Sequence, residues 1–204
     1  MHFWTSDEPL VLASGSATRR LLLESAGVPV IVSPADIDER KVEQPLRSAG
    51  ESPAAIAAHL ARAKALAVSA EQPGRIVLGA DQTLALGTTL FSKPASIEAA
   101  RHHLQMLSGQ THSLHSAIAL VRDGNPVFET VAEARLSMRD LSAAFIEAYL
   151  QAEGAGVCSS VGAYKLEGLG VHLFERIEGD HATILGLPLL ALLPALRQFG
   201  YLLS

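Results

Sequence analysis

The sequence contains very little cysteine and no excess of positive charge. Cys158 is the only cysteine among the 204 residues, so no disulfide can form within the chain, and a reducing compartment is the simplest setting. The formal net charge of -5 argues against a surface that coats a polyanion. We therefore expect no nucleic-acid polymer as a partner.

The chain also lacks the features of a secretory signal and of a membrane span. Asp7 and Glu8 stand before the first short apolar segment, where a signal peptide would carry basic residues. The longest apolar stretch, residues 182–196, is interrupted by glycine and proline and is too short to cross a bilayer. These absences predict a cytoplasmic protein that does not contact membranes.

The order of elements predicts the fold class. Segments typical of strands and helices alternate, and one long hairpin turns at residues 123–125. This order favours an α/β or α+β fold, with a mixed, twisted β-sheet and flanking helices. A chain of 204 residues is long enough for one well-buried domain, so we assign residues 1–204 to a single domain, built as two lobes.

The stretch from Leu12 to Arg20 predicts a strand, a loop of small residues and the start of a helix. Such a helix start binds anions, because its free N–H groups and its dipole present partial positive charge. Hydroxyl and guanidinium groups suited to phosphate follow in the same stretch. They belong to Ser14, Ser16, Thr18, Arg19 and Arg20. A capped helix with solvated arginines is the alternative interpretation.

Residues 33–40 form an acidic segment, which we predict to be a loop. Asp36, Asp38 and Glu39 lie within four residues and repel one another unless a cation lies among them. Metal binding by at least one of them is therefore one hypothesis, and a solvated acidic loop is the other.

Three further charged residues are candidates for a binding or catalytic site because of the predicted elements around them. Lys64 lies beside the apolar stripe of a helix predicted from Ser52 to about Ala70, from where it could reach a cleft or simply extend to solvent. Asp81 ends a buried strand, and ligands of α/β sheets collect at such ends. Lys93 precedes Pro94, which gives it a defined direction. The predicted stripe consists of Ile56, Leu60, Ala63 and Ala67.

The last third of the chain is rich in glycine and leucine. A helix is predicted from Asp140 to about Gln151, followed by a glycine-rich segment that lets the backbone approach a ligand closely. Val171 to Ile177 is typical of a strand. Pro188 begins the last predicted helix, which Pro194 should kink or restart.

Short segments across nearly the entire chain follow one another in the order found in one protein family. They are Leu12-Ala13-Ser14-Gly15-Ser16 with Arg19-Arg20, Asp38-Glu39, Lys64-Ala65, Gly79-Ala80-Asp81, Lys93-Pro94, Leu107-Ser108-Gly109 with His112, Gly162-Ala163-Tyr164 and Gly186-Leu187-Pro188. In this order they resemble the Maf family of nucleoside triphosphate pyrophosphatases, also described as septum-formation inhibitors.

The resemblance implies a two-lobed mixed α/β fold related to the inosine triphosphatase type, with the active site in a central cleft and frequent homodimers. It implies hydrolysis of a nucleoside triphosphate to the monophosphate and pyrophosphate, with Mg²⁺ or Mn²⁺ as the required metal. It further implies that Asp81 activates water and that Glu39 and Asp81 bind the metal. The implied phosphate-binding residues are Ser14, Arg19, Arg20, Lys64 and Lys93.

Gln82 and Glu167 resemble the branch of the family that prefers 7-methyl-GTP. The branch that acts on dTTP and UTP typically has threonine and glutamine at these positions, and it is the alternative. A carboxylate at Glu167 can accept hydrogen bonds from the guanine edge and offset the charge of a methylated ring. Thr18 stands where one branch has tryptophan and the other arginine, so stacking on an aromatic ring is lost. Ala17 replaces the usual proline, which favours a looser loop and broader selectivity.

Two other functions fit parts of the sequence. A nucleotidyltransferase also begins with Leu-Ala-x-Gly followed by arginine, and it would transfer the nucleotide to an acceptor instead of water. A nucleotide-binding regulator of cell division with little turnover is the second alternative. Pyrophosphate release from a panel of nucleotides distinguishes the three.

Overall fold

The computed structural model of the protein describes residues 3–203, and helices alternate with strands along most of this range. The elements are β1 (Leu10–Leu12), α1 (Ala17–Ser25), β2 (Val30–Val32), α2 (Glu39–Ser48), α3 (Pro53–Ser69), β3 (Ile76–Leu86), β4 (Thr89–Phe91), α4 (Ile97–Leu107), β5 (Thr111–Arg122), β6 (Asn125–Met138), α5 (Ala143–Glu153), β7 (Phe174–Glu178), α6 (His181–Ile184) and α7 (Leu189–Gln198). Short 3₁₀ helices cover most of the chain between α5 and β7.

The strands form one mixed sheet in the order β2-β1-β3-β5-β6-β7, with β4 paired to β3. β1 is parallel to both β2 and β3, whereas the β3–β4 and β6–β7 pairs are antiparallel. The predicted class, a mixed α/β sheet with flanking helices, is confirmed.

The chain divides into two compact units, and three of the strands contribute residues to both. The first unit contains everything up to Gln82, residues His115–Ala132, and everything from Asp180 onward. The second contains Thr83–Leu114 and Glu133–Gly179.

In the first unit, alternate residues of each strand pack on opposite faces of the sheet. On one face, Leu10 and Leu12 pack with α1 and α7 in a cluster that includes Leu23, Leu192 and Leu196. On the other face, the strand residues pack against α3. That second cluster contains Val11, Ala13, Val77 and Ala117 together with Ala57, Ala61, Ala65 and Val68 of the helix.

Small residues let α3 lie very close to β3. A Cβ atom at Gly79 would lie 2.0 Å from the carbonyl oxygen of Ala61 and 2.8 Å from the Cβ of Ala65. Only glycine fits between the strand and the helix at this point. This close approach brings the middle of α3 over the strand that carries Asp81.

Several predicted elements are confirmed. The helix predicted from Ser52 is α3, with Ser52 as its N-cap and Pro53 at its first position. The long hairpin predicted at residues 123–125 turns through Asp123 and Gly124, both at positive φ.

Other expectations about local structure are wrong. The acidic segment is not loop throughout, because Asp38 caps α2 and accepts a hydrogen bond from the Lys41 backbone N–H. The strand containing Asp81 does not end there but continues to Leu86. Of the two outcomes predicted for Pro194, a restart is wrong, because α7 continues through this residue, and a kink stays a prediction.

The predicted apolar stripe of α3 is also misplaced by part of a turn. Ala63 and Ala67 are only partly buried, whereas Ala61 and Lys64 lie within the buried face. The abundance of alanine explains the error, because alanine does not mark which face of a helix is apolar. Elsewhere, α5 begins at Ala143 and β7 at Phe174, each three residues later than predicted.

Candidate active site

Asp81 lies in the part of β3 that extends beyond its neighbour β1. The two strands pair only at Val11–Val77 and Leu12–Leu78, and β1 ends at Leu12. Side chains alternate along a strand, so Asp81 is on the same face as Val77 and Gly79, the face covered by α3. Asp81 therefore points toward the helix that carries Lys64, even though the strand does not end at this residue.

Lys64 forms ion pairs with two acids. Its Nζ atom lies 2.6 Å from Oδ1 of Asp81 and 2.8 Å from Oε1 of Glu39. Lys64 and Asp81 are buried, with relative exposures of 9% and 7%, whereas Glu39 is exposed at the first turn of α2. Burial raises the pKa of Asp81, and the charges of Lys64 and Arg19 oppose part of that rise.

Arg19 is held in the same unit by three hydrogen bonds, one to the loop before its own helix and two to other segments. Its Nη1 donates to Ser14 Oγ at 3.0 Å and to the Ala80 carbonyl oxygen at 2.9 Å, and its Nε donates to the Gly186 carbonyl oxygen at 2.9 Å. Burial lowers the pKa of Arg19, and Asp81 and Glu39 oppose the change. The guanidinium remains charged, because an arginine pKa lies far above neutrality.

The helix start beside Arg19 has the expected capped form. Ser16 is the N-cap of α1, and its side chain accepts a hydrogen bond from the Arg19 backbone N–H at 3.3 Å. The Ser16 N–H in turn donates to Ser14 Oγ at 3.3 Å. No acidic residue lies in the first turn of α1, so the partial positive charge of this helix end has no side-chain counter-charge there.

Gln82, predicted to contribute to specificity, lies on the opposite face of β3 from Asp81. Its Nε2 donates to Ser116 Oγ at 2.9 Å and to the carbonyl oxygens of Thr183 and Ile184 at 3.2 and 3.0 Å. Gln82 therefore anchors α6 and the turn that leads to Gly186, whose carbonyl oxygen binds Arg19.

The structure brings together five of the predicted site residues in the first unit: Ser14, Arg19, Glu39, Lys64 and Asp81. Arg20 faces solvent, with Nε 3.8 Å from Glu24 Oε1, and Thr18 is partly buried on the same helix. Lys93 and Glu167 belong to the second unit, where both are exposed.

The convergence of Glu39 and Asp81 fits a divalent metal. Both carboxylates contact the same cationic nitrogen, so their oxygens are within reach of one small ion, and oxygen ligands suit Mg²⁺ and Mn²⁺. Residues 3–203 contain no group of three or more His, Cys, Asp or Glu side chains placed to hold a metal. The two carboxylates would need water or phosphate oxygens to complete the coordination.

The sequence did not predict two features of these units. The first is the hydrogen bond that the Gly186 carbonyl oxygen accepts from Arg19. The Gly-Leu-Pro segment was the available signal, since these residues are typical of a turn, and Gly186 does have a positive φ. The second is a buried pair in the second unit, where His112 Nε2 and the Tyr164 hydroxyl are 2.7 Å apart. Both residues stood in matching segments, but no role followed from their spacing.

The fold and the site together define a mixed α/β protein. Its first unit combines the start of α1, which has no acidic side chain in its first turn, with the cations Arg19 and Lys64 and the buried carboxylate of Asp81. This is a site suited to phosphate groups. The chain belongs to the Maf family, because the family described as Maf-like protein matches residues 9–199. The family predicted from the sequence is thereby confirmed.

Curated relatives cover almost the whole chain. A nucleoside triphosphate pyrophosphatase of Rhodopseudomonas palustris is 58% identical over 198 residues, which is 97% of each chain. A 7-methyl-GTP pyrophosphatase of Mesorhizobium japonicum is 52% identical over 193 residues, covering 95% of this chain and 97% of the relative. These names confirm the prediction of a family of pyrophosphatases, which are hydrolytic enzymes.

One solved structure, a HAM1 protein from Coxiella burnetii, is similar over 64% of this chain and 72% of its own, with 18% identity and a TM-score of 0.45. This similarity is too low to support a conclusion about function. Among residues 3–203, no helix combines the length and the apolar character needed to cross a bilayer.

Proposed function

We propose that this chain is a nucleoside triphosphate pyrophosphatase that releases pyrophosphate and a nucleoside monophosphate. The observation that carries the proposal is the convergence of Arg19, Lys64 and Asp81 in one unit, at the end of β1 and the start of α1. Cations that hold a polyphosphate next to an acid that can accept a proton are the requirements of this reaction.

In this proposal the phosphate chain binds at the start of α1. Arg19 is already oriented by Gly186 and Ala80, so little conformational entropy is lost when it binds an anion. Ser14 and the free N–H groups of the helix start add neutral donors. Lys64, Arg20 and Lys93 are proposed to bind the remaining phosphate oxygens.

Glu39 and Asp81 are the residues we propose to hold the divalent metal. A bound Mg²⁺ or Mn²⁺ would offset the negative charge of the phosphates and help to orient them. Before attack, the first unit carries two positive and two negative side chains at this site, so a triphosphate would not be neutralised by the protein alone.

Asp81 is the proposed general base. A water oxygen attacks the α-phosphorus in line with the leaving group, and a new phosphorus–oxygen bond forms as the bond to the pyrophosphate oxygen breaks. The water proton passes to the Asp81 carboxylate. Burial raises the pKa of Asp81, which makes its carboxylate a stronger proton acceptor than a solvated aspartate.

The finer proposal is a preference for 7-methyl-GTP over dTTP and UTP. It is supported by the names of relatives at 52–54% identity and by the carboxylate at Glu167. We propose that Gln82 affects specificity indirectly, by holding α6 in place, since its amide nitrogen already donates hydrogen bonds to Ser116 and to a carbonyl oxygen of α6. Thr18 offers no aromatic ring for stacking on the base, which favours a broader substrate range.

The test is pyrophosphate release from 7-methyl-GTP, GTP, dTTP and UTP with Mg²⁺ or Mn²⁺. We expect release with one pyrophosphate per monophosphate formed, and the highest kcat/KM with 7-methyl-GTP. Transfer of the nucleotide to an acceptor would indicate a nucleotidyltransferase, and binding without release would indicate a regulator. A higher kcat/KM with dTTP or UTP would reject the finer proposal alone.

A cytoplasmic location, a homodimer and an active site in a cleft between two lobes stay predictions from the sequence. A measurement of molecular mass in solution tests the homodimer, and the proposed chemistry does not depend on the oligomeric state.

A further inference from the structure

The Lys64 ammonium occupies the gap between the two proposed metal ligands. It lies 2.6 Å from Asp81 Oδ1 and 2.8 Å from Glu39 Oε1, and Lys64 is buried. Both distances are those of direct, charge-assisted hydrogen bonds. In the free protein, therefore, a cation supplied by the chain itself already pairs the two carboxylates.

A divalent ion and this ammonium cannot share the gap. An ion held by the same oxygens would lie about 2.0–2.6 Å from each of them, in the space that Nζ fills. Two cations at such separation repel strongly, and the low polarity around a buried pair increases the repulsion. Arg19 adds a third positive charge close enough to interact with both Asp81 and Glu39.

A displaced Lys64 needs a new anion, because a buried ammonium without a partner is strongly unfavourable. Its flexible four-carbon stem lets the charge move while the helix stays in place. The carboxylates that it leaves are taken by the ion, so the new partner must come from the ligand. A triphosphate bound beside Arg19 provides oxygens of the required charge.

We propose that Lys64 is a built-in competitor of the divalent ion, which holds Glu39 and Asp81 together in the free protein and moves to the phosphates when nucleotide binds. The proposal rests on the proposed function for the identity of the anion. It makes ion and nucleotide binding mutually dependent: the free protein binds the ion weakly, and the nucleotide removes the competitor. Such coupling is reciprocal, so the ion equally favours nucleotide binding.

The test measures Mn²⁺ binding to nucleotide-free protein, by electron paramagnetic resonance of unbound Mn²⁺. Lys64→Met removes the ammonium and keeps an apolar stem, and we expect it to raise Mn²⁺ affinity at least about 10-fold, within the usual range of coupling between sites. Lys64→Gln removes the same charge while keeping a hydrogen-bond donor, and the same direction is expected. Adding Asp81→Asn to either variant should abolish the gain.

Arg62→Met is the matched control. Arg62 is on the same helix, and its guanidinium makes two hydrogen bonds of 2.5 Å to the Glu129 carboxylate. Removing it deletes one positive charge from α3 outside the site, where solvent screens its effect. We expect Mn²⁺ affinity to change less than about twofold in this variant.

Unchanged or weaker Mn²⁺ binding in folded Lys64→Met or Lys64→Gln protein would overturn the inference, with cooperative thermal unfolding as the criterion for folding. An equal gain in Arg62→Met would overturn it as well, because the effect would then be one of net charge. Pyrophosphate release by the wild type is measured separately. Release without a gain in Mn²⁺ affinity rejects this inference alone, and a gain without release rejects the proposed function alone.

Discussion

The Arg19 guanidinium donates a 2.9 Å hydrogen bond to the carbonyl oxygen of Gly186, a residue 167 positions later in the chain. Gly186 has a φ of 90°, a conformation that glycine adopts freely, and a Cβ atom there would lie 3.4 Å from Arg19 Nη2. The first turn of α1 and the turn after α6 are thus joined through one side chain. The orientation of Arg19 depends on this contact.

Arg19→Lys should destabilise the protein although the charge is kept. A single ammonium cannot replace the planar guanidinium that reaches Ser14, Ala80 and Gly186 together. We expect the free energy of unfolding in urea to fall by about 2–4 kcal/mol, because carbonyl groups lose charged donors.

Arg20→Lys on the same helix is the control for that measurement. Its exposed pair with Glu24 spans 3.8 Å, and a lysine can form the same pair. The change should stay within about 0.5 kcal/mol. Equal unfolding free energies for the two variants would show that the three Arg19 contacts do not stabilise the fold.

The sequence predicted Arg19 and Ser14 as neighbours because both lie in one short motif, and helix capping fixes their spacing. It could not predict the Gly186 contact, since no local pattern reports a hydrogen bond across 167 residues. The sequence also could not predict the burial of Lys64. It was placed beside the apolar stripe of α3, although it lies within the buried face. An alanine-rich helix lacks the large side chains that would mark that face.

Asp81 was predicted as a site residue for a reason that is only partly correct. The strand was expected to end there, but β3 continues to Leu86, and it is the neighbouring β1 that ends early. The length of a partner strand cannot be read from the sequence of β3. The α2 helix was missed for another local reason, since Pro45 within it argues against a helix.

Asp81→Asn should abolish most of the activity without unfolding the protein. The asparagine oxygen can still accept a hydrogen bond from Lys64, but the amide cannot take up the proton of the attacking water. Loss of a general base predicts a rate about 100- to 10,000-fold lower, measured as pyrophosphate release. The variant should still fold, because Lys64 keeps its ion pair with Glu39, and a cooperative thermal unfolding transition checks this.

Asp123→Asn tests whether this effect is specific. Asp123 is in the hairpin turn with a φ of 49°, where asparagine is also well tolerated. The same chemical change there should leave the rate of pyrophosphate release unaltered. A wild-type rate in Asp81→Asn would instead refute the role of Asp81 as the base.

Gly79→Ala should push α3 away from β3. The added Cβ would meet the Ala61 carbonyl oxygen at 2.0 Å, and neither backbone can yield without moving Lys64 relative to Asp81. We expect a loss of at least about 2 kcal/mol in the free energy of unfolding, together with reduced activity. Gly156→Ala is the control, since its nearest neighbour is the end of the Glu153 side chain at 3.6 Å. Comparable losses in both variants would contradict the close packing of α3 on β3.

His112 gives the second unit a pH-dependent contribution to stability. The residue is 1% exposed, its Nε2 is 2.7 Å from the Tyr164 hydroxyl, and burial lowers its pKa to about 4. Between about pH 6.5 and 4 the unfolded chain binds a proton at this histidine and the folded chain does not. Stability from this group is therefore fully present above pH 6.5 and is lost as the pH falls toward 4. The loss amounts to about 3 kcal/mol over the whole interval.

The measurement compares urea unfolding of the wild type and of His112→Gln at pH 7, 5 and 4. Other acid-sensitive groups affect both proteins alike, so the difference between the two unfolding free energies isolates His112. We expect the advantage of the wild type to shrink as the pH falls. His102→Gln serves as the control for the same substitution outside this site, because His102 is exposed on α4 and is not part of the buried His112–Tyr164 pair. A pH-independent difference for His112→Gln would mean that His112 is not held neutral by burial, because a histidine that charges equally in the folded and unfolded chain adds no slope.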